Sequence, residues 1–466
     1  MKTKNKDNKD ALAPPEHRSI FFHLLTNTLF TSVMNFTLWF ALTFYVYIET
    51  QSVFAVSLIA GLYLVATAST GIWFGSLVDH HKKRTMMIVA NIASLIFYIA
   101  SFLVYITASP ETFKEPSSVT LWVLVSLVML GVIAGNIRGI TMPTLVTILI
   151  PEDRRDRANG LVGTVSGVSF LVTSVISGLL VAAGGMFYAL LLAIVILAAS
   201  LVHLFMISVP EKGIIHTEEA PKKIDLKGTI KVVRGVPGLG ALIIFNTFNN
   251  FLGGVFMALM DAYGLSLVSV QVWGILWGVL STGFIIGGLI VAKVGLGKNP
   301  LRALLLSNVV LWTISIIFPM QASIILLAGG MLLYMSLIPY IEAAEQTILQ
   351  KVVPFERQGR VFGFAQSVEQ SASPLTAFLI GPITEFYFIP LMTTGWGAQA
   401  IGSWFGTGPA RGMAVVFILA AIIGLIATIL AFTTKSYRRL SKRYMEGGST
   451  NAPPPLDKPV QEGLVQ

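Results

Sequence analysis

The feature that most constrains this chain is a series of long apolar runs that carry almost no charge. Residues 185–209, for example, contain no Asp, Glu, Lys or Arg. A helix needs about 20 such residues to cross the hydrocarbon core of a bilayer, and a membrane span must satisfy its own backbone hydrogen bonds. Only 12% of the residues are charged, whereas a soluble domain carries about 25%. The chain is therefore predicted to be an all-α polytopic membrane protein.

The apolar runs divide into twelve predicted helices in two sets of six. The predicted units are a tail at 1–18, a six-helix bundle at 19–209, a central loop at 210–238, a second bundle at 239–434 and a tail at 435–466. The Gly- and aromatic-rich residues 386–411 form a predicted extracellular loop, which either rests at headgroup depth or covers the outer mouth as a lid. The predicted helices lie at 19–48, 52–78, 85–108, 118–150, 158–183, 185–209, 239–264, 270–292, 300–319, 321–349, 360–388 and 411–434.

Positive charge is concentrated on one side of these helices. With a cytoplasmic N-terminus, all but three of the 32 Lys and Arg fall in cytoplasmic segments; Lys114 and Arg411 lie outside and Arg138 lies within a span. The positive-inside rule then predicts that both termini are cytoplasmic, and we expect a bacterial cell membrane. The net charge of +9 therefore indicates orientation rather than nucleic-acid binding. The absence of Cys excludes disulfides and thiolate metal sites.

A repeat relates the two bundles. Pro151, Arg154, Arg157 and Gly160 follow helix four with the spacing P-x-x-R-x-x-R-x-x-G, and the same spacing recurs 203 residues later, after helix ten. Because both copies occupy the same topological position, the repeat indicates two duplicated halves, as in two-halved secondary transporters. The second copy consists of Pro354, Arg357, Arg360 and Gly363.

The loop between helices two and three carries a recognisable motif. Its Gly, Leu, Asp and paired bases resemble the signature loop G-x-L-x-D-(R/K)-x-G-(R/K)-(R/K) of the major facilitator superfamily. The sequence departs from that signature at His80, where the family has a base, and at Lys82, where it has Gly. The matching residues are Gly75, Leu77, Asp79, Lys83 and Arg84.

The resemblance covers the whole chain and implies a fold of twelve helices in two six-helix halves. Within the family, the strings IPEDRRDRANGLVGTVSGV and QKVVPFERQGRVFGFAQSVEQSASP are similar to drug-efflux permeases of the macrolide-efflux type. The family implies that Asp79 latches the halves by facing the start of helix eleven, near Gly359 and Arg360, and a base at the end of helix four. The counterpart loop at 292–298 has no acid, so we expect a latch in one half only. The Gly-Pro pair of the family's antiport motif is missing from helix five.

Ionisable residues within membrane spans are costly and generally face a cavity or a partner. Arg138 precedes Pro151 by 13 residues, about 20 Å along a helix, and is predicted to be paired, unless helix four extends well into the cytoplasm. Glu342 and Glu345 share one helix face, and each disfavours ionisation of the other. They are the predicted proton carriers, with Arg138 and Asp261 as further coupling candidates. Glu369 is interpreted as structural, near a bend.

The neutral polar residues of the spans are candidates for contact with a substrate. In the family, helices one, four, seven and ten line a central cavity, and these helices hold most of the polar groups. For the helix-seven amides, interhelical hydrogen bonding is an equal alternative. The cavity candidates are Asn27, Asn35, Asn246, Asn249, Asn250, Tyr334 and Gln346.

These features predict a secondary transporter that exports a small amphipathic or cationic compound by alternating access, coupled to proton influx. The chain contains no P-loop of the form G-x-x-x-x-G-K-[ST]. We therefore expect no cofactor and no metal, only a proton gradient, with the substrate, protons and the bilayer as partners of a monomer. The alternatives are an uptake permease or facilitator, and a sensor that binds without translocating. A membrane-embedded enzyme is disfavoured because no metal-ligand or paired His/Asp spacing occurs at membrane depth.

Overall fold

The computed structural model describes residues 12–50, 53–211 and 225–446. In these ranges the regular structure is helical, and twelve helices are long and apolar enough to cross a membrane, which confirms the predicted fold class. The parts of the predicted tails and central loop at 1–11, 212–224 and 447–466 lie outside the described residues. The helices are α1 Pro15–Thr50, α2 Val53–His80, α3 Lys83–Thr107, α4 Val119–Leu149, α5 Arg155–Gly184, α6 Met186–Met206, α7 Leu239–Leu265, α8 Val270–Val294, α9 Pro300–Ile317, α10 Ile324–Val352, α11 Phe355–Thr393 and α12 Pro409–Thr433.

The twelve helices form an N-terminal half, α1 to α6, and a C-terminal half, α7 to α12. The main packing between the halves is pseudo-symmetric, since α2 lies against α11 and α5 lies against α8. We call the side on which α1 begins and α12 ends the terminal face, and the other side the opposite face. Two short helices, Leu226–Gly235 and Lys435–Met445, lie on the terminal face, where the sequence predicted only loop and tail.

The sequence repeat explains how the halves can approach closely. Each copy forms a 3₁₀ turn, Glu152–Arg154 or Phe355–Arg357, directly before α5 or at the start of α11. A Cβ atom on Gly160 would lie 2.8 Å from the carbonyl oxygen of Gly288 in α8, and one on Gly363 would collide with the carbonyl of Gly71 in α2. Glycine is required at both crossings because no other residue lets the backbones meet.

Helices α4 and α10 are interrupted near their midpoints. Helix α4 has a turn at Asn136 and contains Pro143, and α10 contains Pro339. Proline removes one backbone donor and weakens the helix around it. The polar segments of α4 and α10 therefore lie beside these breaks.

The predicted extracellular loop is mostly helical. Helix α11 continues through a π turn to Thr393, and a helix at Trp396–Phe405 precedes α12. Buried Arg411 holds this segment, since its guanidinium donates to the carbonyl oxygen of Pro319 (2.6 Å) and lies 4.0 Å from the Phe405 ring centre. Trp396 and Trp404 are 68% and 63% exposed. None of the described residues that line the cavity between the halves belongs to this segment.

Candidate functional site

A cavity of about 500 Å³ lies between the two halves. Its N-terminal wall comes from α1, α4 and α5, and its C-terminal wall from α7, α9, α10 and α11. Of the predicted cavity residues, all but Asn27 line it: Asn35, Asn246, Asn249, Asn250, Tyr334 and Gln346.

A cluster of carboxyl groups occupies the C-terminal wall. Glu342 is exposed to the cavity, Glu345 is buried beside it, and Glu369 reaches the same place from α11. Glu345 and Glu369 are close enough to influence each other electrostatically, and the side chain of Asn246 lies near both of them. Glu369 lies near a bend, as expected, two residues before the break of α11 at Ser371, and it also lines the cavity.

Arg138 is the charged group of the N-terminal wall of the cavity. Its side chain is only 4% exposed, and its Nη1 atom donates to Oδ1 of Asn27 at 2.9 Å. The partner is therefore a neutral amide, and no carboxylate among the described residues forms an ion pair with Arg138. Asn27 itself is 1% exposed and lies behind Arg138. Its predicted contact with substrate is not supported, because Arg138 stands between it and the cavity.

Two of the predicted cavity amides, Asn35 and Asn249, are held by aromatic donors. Asn35 accepts a hydrogen bond from the hydroxyl of Tyr98 at 2.7 Å. Asn249 accepts one from the indole of Trp312 at 2.9 Å and donates to the carbonyl of Phe245. These bonds orient the amides, which favours the alternative that helix packing is part of their role.

Several residues of the cavity wall carry a buried polar atom without a partner. In native proteins such atoms are rare and call for an explanation. Within the described ranges, each of the following belongs to a cavity-lining residue and has no hydrogen-bond partner in the protein, and both donors and acceptors are among them. They are Nη2 of Arg138, Nδ2 of Asn246, Oε1 of Glu345, Oε1 of Gln346 and Oε1 of Glu369.

Asp261 does not join this cluster. It lies 11 residues after Asn250 on α7, about 16 Å further toward the opposite face. One of its carboxylate oxygens accepts hydrogen bonds from the indoles of Trp273 and Trp277, both at 2.9 Å. The structure thus separates this coupling candidate from the glutamates, because the helix rise carries it beyond the cavity.

The cavity is closed toward the terminal face by a pair of amides. Asn159 of α5 donates to Oε1 of Gln350 in α10 at 2.9 Å, and Gln350 donates back to Oδ1 of Asn159 at 3.2 Å. Gln350 also donates to the carbonyl oxygen of Pro143. Since α5 and α10 belong to different halves, this pair of amides joins the halves on the terminal side of the cavity.

Asp79 forms a second connection nearer the terminal face. Its carboxylate accepts the backbone N–H groups of Gly359 (2.6 Å) and Arg360 (2.9 Å), at the start of α11. The Nε atom of Arg360 lies 3.5 Å from the same carboxylate. A Cβ atom on Gly75 would collide with the Gly359 carbonyl, so the glycine permits the approach. In the described structure no base at the end of α4 pairs with Asp79.

The other bases of the motif support the loop rather than bond to Asp79. The backbone N–H groups of Lys83 and Arg84 donate to the carboxylate of Glu211 at 2.6 and 2.8 Å. The guanidinium of Arg84 donates to the carbonyl oxygens of Leu204 and Phe205 at the end of α6. Lys83 lies 5.4 Å from the ring centre of Phe355, in the other half.

The α5–α8 contact carries a further carboxylate–backbone hydrogen bond between the halves, and its acid, like Asp79, belongs to the N-terminal half. The sequence pattern directed attention to the loop after α8, but the acid is on α5. Oδ2 of Asp156 accepts the backbone N–H of Leu296 at 2.8 Å. Nearby, Lys351 pairs with Glu152 at 2.8 Å and lies over the ring of Tyr444. Burial raises the pKa of the Tyr444 phenol, which keeps that ring neutral.

Toward the opposite face the halves separate. On the terminal side, a Cβ atom added to Gly167 of α5 would lie 2.6 Å from the Cβ atom of Phe284 in α8. Further along the same pair of helices, Cβ atoms added to Gly178, Gly274 or Gly278 would meet nothing within 4 Å. The close contact between α5 and α8 therefore lies on the terminal side, and these three glycines make no close contact.

Glu369, Asn159 and Gln350 belong to this site but were not among its predicted residues. Glu369 was seen but not placed, because the distance between α10 and α11 side chains depends on the tertiary fold. Asn159 lies inside the repeat, directly before Gly160, and its position in a conspicuous motif could have drawn attention to it. Gln350 gave no signal, since an amide near a helix end is ordinary.

Comparisons with known proteins agree with this architecture. A solved bacterial homologue of the iron transporter ferroportin, in its outward-facing state, superposes with a TM-score of 0.66 at 14% identity, covering 89% of this chain and 100% of that one. The human organic anion transporter MFSD10 gives 0.64 at 13% identity over the same shares. Both likenesses show the fold.

Among sequence relatives, the macrolide efflux protein A of Streptococcus pyogenes is 23% identical over 353 residues, which cover 73% of this chain and 83% of that protein. The macrolide efflux protein A of Enterococcus faecalis is 22% identical over 315 residues, covering 65% of this chain and 92% of that protein. The sequence profile of the Major Facilitator Superfamily matches residues 24–377. The chain is therefore a multi-pass membrane transporter, not an enzyme, and belongs to the Major Facilitator Superfamily.

Proposed function

We propose that this transporter exports a small amphipathic or cationic compound by alternating access, driven by inward proton flow. The observation that carries the proposal is the carboxyl cluster of Glu342, Glu345 and Glu369 in the cavity between the halves. Carboxylates attract a cationic solute, and carboxyl groups crowded in a buried site share protons readily. The same cluster can therefore hold either the substrate or protons.

The arrangement of the latches supports alternating access. The terminal-side contacts at Asp79, Asp156 and Gln350 are hydrogen bonds between the halves, which can break and re-form as the halves rock. Because two-state proteins need gaps of only a few kcal/mol, a small number of such bonds suffices. We propose that the terminal face is cytoplasmic, since it carries most of the Lys and Arg. The structure would then correspond to an outward-facing state in a cell membrane.

The export direction rests on the macrolide efflux relatives. An uptake permease or facilitator of the same fold remains the second candidate, because the cavity itself has no direction. A non-translocating sensor would bind a ligand without exchanging it across the membrane.

The proposed function is tested by the growth of an efflux-deficient bacterium on toxic compounds. Cells with and without the protein are compared on macrolides and on toxic organic cations, and uptake of ethidium into inside-out vesicles then measures direction and pH dependence. We expect the protein to raise tolerance to at least one compound. Glu345→Gln and Glu369→Gln should abolish transport against a gradient, because an amide cannot exchange a proton.

Glu115→Gln is the matched control, since Glu115 is an exposed acid outside the cavity. No gain in tolerance for any compound would argue against export. Uphill transport with unchanged pH dependence in both cavity variants would contradict the assignment of proton coupling to this cluster.

A further inference from the structure

Behind Arg138, a continuous series of hydrogen bonds runs from the cavity wall to the protein surface. Asn27, which accepts from Arg138, donates through Nδ2 to the carbonyl oxygen of Ser200 at 2.8 Å. The same Nδ2 lies 3.3 Å from Nδ1 of His203 in α6. Nε2 of His203 lies 3.3 Å from Nδ1 of His23 in α1, and His23 is exposed. Two titratable rings are thus connected to the only charged group of the N-terminal wall described here.

The bonding partners fix the direction of every hydrogen in this series. A guanidinium only donates and a backbone carbonyl only accepts, so Oδ1 of Asn27 must face Arg138 and its N–H₂ must face Ser200. The second amide hydrogen of Asn27 then points at Nδ1 of His203, which must carry a lone pair. A neutral imidazole has one N–H, so His203 is protonated on Nε2 and donates to Nδ1 of His23. His23 in turn carries its hydrogen on Nε2.

A protonated His203 is incompatible with this arrangement. An imidazolium donates from both nitrogens, so its Nδ1–H would meet the N–H₂ of Asn27. If the amide turned over to accept from His203, its N–H₂ would face the guanidinium of Arg138, and the Arg138–Asn27 bond would be lost. One more proton on the ring pair therefore breaks a link in the series.

We propose that His203 is a positioning residue for Arg138, acting through Asn27. In this proposal, a proton taken up by the His203–His23 pair releases the guanidinium of Arg138 toward the cavity. The inference deepens the proposed function, on which it rests for its transport consequence, by giving the N-terminal wall a titratable group of its own. The carboxyl cluster on the other wall would then not be the only proton-responsive element of the site.

The charged and titratable groups around the two rings come from four helices. Helix α3 places Arg84 against the carbonyls that end α6, and α4 supplies Arg138. On α1, Arg18 lines the same surface pocket as His23, and His17 lies six residues before His23. The nearby acid Glu211 is occupied by the backbone of Lys83 and Arg84. Helix α5 directs Arg155 and Asp156 to the C-terminal half.

The tautomer gives a test that does not depend on transport. The full-length protein, labelled with ¹⁵N-histidine and reconstituted in lipid, is measured by NMR at neutral pH, and the His203 signals are assigned by their loss in His203→Asn. We expect an unprotonated Nδ1 and a protonated Nε2. Asn27→Val should change the Nδ1 shift, because it removes the donor. A His203 that carries its proton on Nδ1, or that is doubly protonated at neutral pH, would overturn the proposal.

The second arm measures the pH profile of ethidium uptake into inside-out vesicles. His203→Leu removes the acceptor for Asn27 and should lower uptake about tenfold, the cost of one hydrogen bond in a charged network. His203→Asn places an amide oxygen near the position of Nδ1, so it should restore uptake while flattening the pH profile. His17→Asn is the control, because in the described structure the side chain of His17 makes no hydrogen bond.

The two arms separate this inference from the proposed function. A wild-type pH profile in His203→Leu would refute the positioning role even if export is real. If the wild-type protein exports nothing, the proposed function fails, and the NMR arm still decides whether His203 is bonded to Asn27 as described.

Discussion

Replacing Asp79 by Asn should open the terminal face. In the structure each oxygen of this carboxylate accepts one backbone N–H at the start of α11, and Arg360 lies 3.5 Å away. The asparagine side chain is not equivalent, because it keeps one acceptor for Gly359 and turns an N–H₂ toward the N–H of Arg360. A hydrogen bond to a charged group contributes about 1.5–3 kcal/mol and a neutral one about 0.5–1.5 kcal/mol.

The closed state should therefore lose about 2–4 kcal/mol relative to the open one. At about 1.4 kcal/mol for each factor of ten, the ratio of closed to open molecules falls about 30- to 700-fold. If the closed state leads by only a few kcal/mol, the substitution makes the open state the major one.

Distances between spin labels measure this shift directly. The chain has no Cys, so labels can be placed at Asp153→Cys in the N-terminal half and Lys298→Cys in the C-terminal half, both exposed on the terminal face. We expect one short distance in the otherwise unchanged protein and a longer one in Asp79→Asn. Glu115→Gln, on the opposite face, should leave the distribution unchanged. An identical distribution in Asp79→Asn would refute the latch.

Three further predictions concern groups outside the carboxyl cluster. His80 accepts a hydrogen bond from Arg360 at 2.9 Å. Since a protonated imidazole cannot accept this bond, acid should favour opening of the terminal face. His80→Gln should make the spin-label distances less dependent on pH. Asp261→Asn should leave the pH dependence of ethidium uptake unchanged, because Asp261 lies outside the cavity. Arg411→Gln should lower the stability by about 2–4 kcal/mol in thermal denaturation, since it leaves the buried carbonyls and the Phe405 ring without their cation.

The two latches show how a duplicated motif can diverge while the geometry is kept. Asp79 lies at the end of α2 and binds the start of α11, whereas Asp156 lies at the start of α5 and binds the loop after α8. In both cases a carboxylate from the N-terminal half accepts a backbone N–H from the C-terminal half. In the second contact the acid lies at the start of α5 and the backbone N–H lies in the loop after α8, the reverse of the arrangement at Asp79. A search for an acid in the loop after α8 could therefore not find this contact.

The sequence by itself determined the membrane architecture. Long uncharged runs have no other stable environment than a bilayer, and their number predicts twelve helices, which the structure confirms. The resemblance of the motif after helix two also implied that Asp79 faces the start of helix eleven, and the structure places its carboxylate against the backbone of Gly359 and Arg360. Glycines such as Gly75 and Gly160 lie at the crossings between the halves because only a residue without a Cβ atom fits there.

Only the tertiary structure decided which polar residues act together. Glu345 and Glu369 are on different helices, and helical periodicity gives the face of each residue but not the rotation of one helix relative to another. Asp261 shares a face with Asn250, yet the helix rise places it beyond the cavity. Asn27 belongs behind Arg138 rather than in the cavity because α1, α4 and α6 pack around it. Periodicity is a local property of one helix, whereas a site is a relation between several helices.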